Sequence, residues 1–315
     1  MRTFVRTLLP ALLFALPFAD GAPQQKIGAV PAWAFPSPDG VPAAHIDDKP
    51  LKQVPGSAGT YDLSEIDPFN PPDWFPDEHP PMPPVVRHGR GNVVQACSYC
   101  HLASGFGHPQ SANLAGLPVA YFMSQIADFK SGARKAPPMD SIAKALSEDD
   151  ARRAAEWFAA LHPGPWVKVV ETDTAPKTFV ITTRLRLPLP DGGTEPLGNR
   201  IIEVPEEPSR ALSYDPHSGF IAYVPAGSIA KGETLVTTGG GKTLPCSACH
   251  GQGLKGSDLA PRIAGRSAIY IVRQLYNIQS GARAGDGVEP MKLVVANLSE
   301  EDMVAIAAYV AARAP

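Results

Sequence analysis

Two five-residue stretches decide how this chain reads: Cys97-Ser-Tyr-Cys-His101 and Cys246-Ser-Ala-Cys-His250. They hold all four cysteines of the 315-residue chain. Two thiols three positions apart lie close together on a helical turn, with a histidine beside them. That is the pattern of covalent haem attachment: both thiols form thioethers to the haem vinyl groups, and the histidine is held beneath the iron. A zinc ribbon would need two Cys-x-x-Cys pairs about 15–20 residues apart closing on one metal. Here the pairs are separated by the stretch from 97 to 246. A thioredoxin-like redox pair would need a βαβ setting, whereas these surroundings are Gly-rich and helical. A disulfide across each pair would be strained and leaves the repeated histidine unexplained.

Working outward, each motif opens a copy of one repeat. At the same spacing as the motifs, Gly116 matches Gly265, Tyr121 matches Tyr270 and Gln125 matches Gln274. Ser131-Gly-Ala-Arg134 recurs as Ser280-Gly-Ala-Arg283. The register then slips by three, so that Leu146-Ser-Glu-Asp-Asp150 meets Leu298-Ser-Glu-Glu-Asp302 and Trp157 meets Tyr309. Duplication of a small module with one short insertion explains this pattern.

In each copy a helix is expected over 117–130 or 267–279, carrying Tyr121, Gln125 and Phe129 at helical spacing. Gly132 and Gly281 suit its C-terminal cap. A last helix is expected over 147–161 or 299–313, with Ser147 and Ser299 as N-caps followed by acidic residues. Ser228–Thr238 reads as an additional first helix of the second copy, for which the first copy has no clear counterpart. Between these helices Met139 follows Pro137-Pro138, and Met291 follows Pro290, each expected in a loop. A thioether is a soft iron ligand, and His/Met ligation raises the reduction potential. Met139 and Met291 are therefore the candidate second axial ligands. The other methionines, Met82, Met123 and Met303 among them, have no matched positions.

Rival histidines are less well placed. His108 has no counterpart in the second copy, and His162 and His217 read as surface or turn residues. Arg134 and Arg283 allow two readings: partners of haem propionates, or basic residues favoured at a helix C-terminus.

Outside the repeats the character changes. Residues 1–21 read as a signal peptide: Arg2 and Arg6, an apolar run Leu8–Phe18, then small residues at the cut. That run is short of the roughly 20 residues needed to span a bilayer, so the mature chain is expected without a membrane span. Residues 22–89 form a proline-rich extended arm; the chain has 35 prolines. Its aromatics Trp33, Phe35, Tyr61, Trp74 and Phe75 favour packing onto the body. Residues 90–162 and 227–315 are modules 1 and 2. Residues 163–226 form a β-rich insertion, with strands expected in hairpins near Trp166–Val170, Thr178–Thr183, Ile201–Val204 and Phe220–Val224. The formal net charge of −3 leaves no electrostatic footprint for nucleic acid.

On these motifs the two modules resemble the class I cytochrome c family, in the tandem form of bacterial di-haem cytochromes. The resemblance implies a mainly α fold with two covalently bound haem c groups. It assigns Cys97, Cys100, His101 and Met139 to the first haem, and Cys246, Cys249, His250 and Met291 to the second. It also implies a one-electron carrier without catalytic residues, acting in a periplasmic respiratory chain between a dehydrogenase and an oxidase or another cytochrome. A di-haem peroxidase-like enzyme with one open iron is the alternative. Matched methionines in both modules speak against it.

Overall fold

In the computed structural model the residues described are 31–37, 39, 53–61 and 66–315. The expected signal peptide and much of the proline-rich arm lie outside them. The first repeat runs α1 (Pro84–Arg87), α2 (Cys97–His101), α3 (Val119–Ser131), α4 (Met139–Ala145) and α5 (Glu148–Ala159). The insertion follows with β1 (Val167–Glu171), β2 (Thr174–Pro176), β3 (Thr178–Val180), β4 (Arg186–Pro188), β5 (Thr194–Pro196), β6 (Ile202–Pro205), α6 (Pro208–Leu212) and β7 (Phe220–Val224). The second repeat is α7 (Ser228–Thr238), α8 (Ser247–His250), α9 (Ala268–Gln279), α10 (Glu289–Val295) and α11 (Glu300–Ala311).

Local chemistry sets these boundaries. The Ser147 and Ser299 side chains accept from the third amide of their helices, Asp150 and Asp302. At the second, Asp302 reaches back to the Ser299 amide and completes a capping box. Gly132 closes α3 in the left-handed region, at φ 81°. Ser280 caps α9 instead of Gly281, which follows it at φ 79°. Met139 and Met291 stand on α4 and α10 rather than in open loops. The prolines ahead of them carry no amide to satisfy, which suits the first turn of a short helix.

Each repeat has its own core. Phe122, Ile126, Phe129, Trp157 and Phe158 build the first; Ile269, Val272, Leu275, Met303 and Ile306 build the second. In the second, α7 crosses α11 so closely that a Cβ on Gly232 would lie 2.0 Å from the Ala305 carbonyl oxygen. A backbone oxygen cannot swing aside. Gly232→Val is thus expected to push the helices apart and cost about 3 kcal/mol, the upper end for overpacking; urea denaturation measures it. The first repeat has only the four-residue α1 in that role. Here Val85 and Val86 are fully buried, and the Val86 carbonyl accepts from Ser98 Oγ at 2.7 Å.

The insertion holds an antiparallel hairpin, β3 with β4, as expected, and one parallel pairing that hairpins do not give. β1 pairs in parallel with β7, and β6 pairs antiparallel with β7, giving the order β1-β7-β6. Strands β2 with β5 and β3 with β4 form two small antiparallel pairs. β7 is the central strand: it buries Phe220, Ala222 and Val224, and its backbone pairs with a strand on either side. The insertion is keyed to both repeats. The Trp166 indole donates to the Gly107 carbonyl at 3.0 Å. Glu203, 1% exposed, accepts from Ser267 Oγ at 2.9 Å and the Ile269 amide at 3.0 Å at the start of α9. Burial pushes the Glu203 carboxyl up to about 7. Arm residues pack on the same elements: buried Trp74 donates to the Ser213 carbonyl at 2.7 Å, and the Trp157 indole to the Pro80 carbonyl at 2.8 Å.

Candidate haem sites

Both motif histidines are oriented in the same way. His101 Nδ1 lies 2.8 Å from the Ala112 carbonyl oxygen, and His250 Nδ1 2.7 Å from that of Pro261. A carbonyl only accepts, so Nδ1 carries the proton and Nε2 keeps its lone pair for a metal. Both partners lie eleven residues after their histidine, so the repeat encodes the tautomer twice. Burial lowers His101 to about 4 and lowers His250 as well, which leaves both rings neutral at neutral pH.

These histidines, the four cysteines, Met139 and Met291 all line one continuous, mainly apolar cavity of about 1310 Å³. That exceeds the roughly 300–1,000 Å³ of an ordinary small-molecule site. Burial pushes the thiols up, Cys97 to about 12 and Cys100 and Cys246 to about 11. Such thiols are poor thiolate metal ligands. Among the described residues no cluster of three or more His, Cys, Asp or Glu side chains is placed to hold a bare metal ion.

The repeats meet along the cavity. Around Arg134 and Arg283 the backbones pair as a short antiparallel bridge, with Lys135 N to Ala282 O at 2.9 Å and Ala284 N to Ala133 O at 2.7 Å. Each arginine then reaches into the other repeat. Arg134 donates to Tyr270 Oη at 3.1 Å and Gln274 Oε1 at 3.2 Å; Arg283 donates to Tyr121 Oη and Gln125 Oε1, both at 2.8 Å. Matched sequence positions thus become a pseudo-twofold interface. Three further arginines from the second repeat join them. Arg262 donates to Asn113 Oδ1 at 3.2 Å, Arg266 to the Asn113 carbonyl at 2.6 Å, and Arg273 to Gln110.

None of these five arginines has a carboxylate partner among the described residues, although Arg134, Arg262, Arg266 and Arg283 are all under 10% exposed. Burial lowers Arg262 to about 9 and Arg273 to about 10. Burial alone would raise the Tyr270 phenol, yet Arg134, Arg283 and Arg266 pull it below its usual value. Buried, unneutralised cations are costly. An apolar cavity ringed by them suits a large apolar group with carboxylates at its edge, which describes haem with its propionates.

The sequence reading missed Arg262, Arg266 and Arg273, because their counterparts Asn113, Leu117 and Ser124 break the repeat. It also read His108, like His162 and His217, as a surface or turn residue rather than a part of the site. Its side chain lines the cavity, with Nδ1 buried and without a partner, and burial lowers it to about 4. Gly107, pinned by the Trp166 indole, turns the loop inward there. His162 and His217 are exposed, His217 pairing with Glu78 at 2.7 Å.

Comparison with known proteins agrees with this geometry. The family model described as cytochrome c matches residues 229–313. The cytochrome c-554(548) of Halomonas halodenitrificans is 36% identical over 87 residues, 27% of this chain and 94% of that protein. The "thiosulfate dehydrogenase electron acceptor" of Thiomonas intermedia is 27% identical over 221 residues, 69% of this chain and 78% of that protein. The cytochrome c4 of Stutzerimonas stutzeri is 26% identical over 230 residues, 70% and 86% of the two chains. With two attachment motifs on one cavity, the chain belongs to the cytochrome c family, as a di-haem class I member with two covalently bound haem c groups that carries electrons.

Proposed function

We propose that the chain passes single electrons in the periplasm between a dehydrogenase and a terminal acceptor, an oxidase or another cytochrome. Cys97 and Cys100 would hold the first haem, with His101 and Met139 the residues that would ligate its iron. Cys246 and Cys249 would hold the second, with His250 and Met291. The observation that carries this reading is that a neutral, Nδ1-anchored histidine and a methionine from each repeat line one cavity. Haem iron supplies the one-electron chemistry. The protein's own work is to occupy both axial positions, exclude water and set the local charge. With a histidine and a methionine offered to each iron, neither would keep an open position for a substrate, which favours carriage over peroxide cleavage. The relative named as an electron acceptor for a dehydrogenase supports a dehydrogenase donor. The reading of residues 1–21 as a signal peptide supports the compartment. Among the described residues no helix is long and apolar enough to cross a membrane.

Visible and near-infrared spectra of the loaded protein, with haem quantified per chain, test this. Two low-spin haems, both with the methionine-to-ferric-iron charge-transfer band, are expected. A five-coordinate, high-spin fraction equal to one haem would replace the carrier by an enzyme with an open site.

A further inference from the structure

The two haem sites are alike in ligands and unlike in cover. At the first, the insertion supplies part of the cavity wall: the β3–β4 turn Ile181–Leu185, then Leu212, Tyr214 and Phe220. The key contact is Tyr214, whose ring lies 5.2 Å from that of Tyr99 inside the first motif. Tyr214 has a left-handed backbone, φ 60°, which a bulky residue adopts only when its surroundings force it. Here they do. Trp74 ties down the Ser213 carbonyl at 2.7 Å. On the other side the fully buried Asp215 carboxylate accepts from Arg210 Nε at 2.6 Å and the His217 amide at 2.9 Å. Arg184, at the tip of the β3–β4 turn, is likewise left-handed at φ 65°. Strain held at two points against the same site marks a constructed cover rather than a passing loop.

The second site has no such cover. Ala248 stands where the first motif has Tyr99. Cys249 is exposed. The same repeat carries three of the four exposed large apolar side chains of the described residues, Leu244 at 59%, Leu259 at 80% and Leu293 at 75% exposed, the other being Val93. Thr243 Oγ1 donates to the Val294 carbonyl at 2.7 Å, which joins the segment of Leu244 to that of Leu293. Ser257 Oγ ties the Leu259 amide and the Cys249 carbonyl together at 3.1 and 2.5 Å.

We propose that the insertion shields the first haem site from solvent and from redox partners, and that electrons enter and leave the chain through the second, uncovered site. With both sites loaded, electrons would pass between them across the arginine-lined interface. This rests on the carrier reading above. The β segment thereby turns a symmetric duplication into a carrier with one port.

The proposal is tested by nuclear magnetic resonance of the oxidised holoprotein with a soluble gadolinium chelate. Hyperfine-shifted haem methyl signals are assigned to each site by Overhauser contacts to Tyr99 or Ala248. The second haem's signals are expected to broaden several-fold more than the first's. In Tyr214→Ala the first haem's signals should broaden nearly as much as the second's. Equal broadening of both haems in the unaltered protein, or more at the first, overturns the proposal; so does a folded Tyr214→Ala without effect. Because the unaltered protein already discriminates, a misfolded variant does not rescue the idea. Failure of the carrier reading shows separately, as a high-spin haem.

Discussion

Met139→Leu is expected to abolish half of the methionine-to-iron charge-transfer band and to lower the reduction potential of one haem, with the other half of the band unchanged; Met291→Leu is expected to do the same to the other haem. The thioether is a soft, neutral ligand that favours ferrous iron, so its loss favours the ferric state. Both methionines are partly buried against their cores. Leucine keeps the volume, and such exchanges cost under about 1.5 kcal/mol in packing. A stability loss well beyond that therefore reports the broken ligand bond. Redox-poised spectra read the first effect and guanidinium unfolding the second. The freed position should also bind added imidazole, which the unaltered protein resists. If both variants retain the full band, the axial assignments are wrong.

Asp302→Ala is expected to cost about 1.5–3 kcal/mol, as loss of hydrogen bonds to a charged group does, because the two ammoniums it leaves behind are partly exposed to water. The Asp302 side chain has no exposed surface, and it holds the Lys231 and Lys242 ammoniums at 3.1 and 2.8 Å. It also completes the capping box at the start of α11. Burial alone would raise its pKa. The hydrogen bonds from Lys242, Ser299 and Lys231 outweigh that and hold it far below the usual carboxylate range. Asp150, its counterpart in the first repeat, is lowered chiefly by Arg90, which donates to both its oxygens at 3.0–3.2 Å. A carboxylate depressed in the folded state contributes its full stability above the unfolded value. That contribution is lost as pH falls through the folded value. The gap between the unaltered protein and Asp302→Ala should thus be widest near neutral pH and shrink as pH drops below about 4. Urea midpoints at pH 7 and pH 3 measure it. A gap independent of pH would mean that Asp302 acts by packing and capping rather than as an ion.

What could be read without coordinates was local. Ser299 with Asp302 marks a helix start because a cap is a matter of four consecutive residues, and Ser228–Thr238 is helical where its pattern indicated. The matched Ser-Gly-Ala-Arg stretches were visible, but not their meaning. Nothing along the chain tells that Arg134 and Arg283 exchange partners across an interface, since each contact joins residues far apart in sequence. The parallel β1–β7 pairing escaped for the same reason: its strands are joined by all the rest of the insertion.

By itself the sequence determined the covalent chemistry and its duplication, because thioether attachment and the anchoring of each histidine need residues within about a dozen positions of one another. Tertiary structure alone decided the environment of those groups. Five arginines become one uncompensated positive lining only when the repeats close on each other, and Tyr214 meets Tyr99 only when the insertion folds back on the first motif. Charge and cover act through space, and space is what the linear chain does not display.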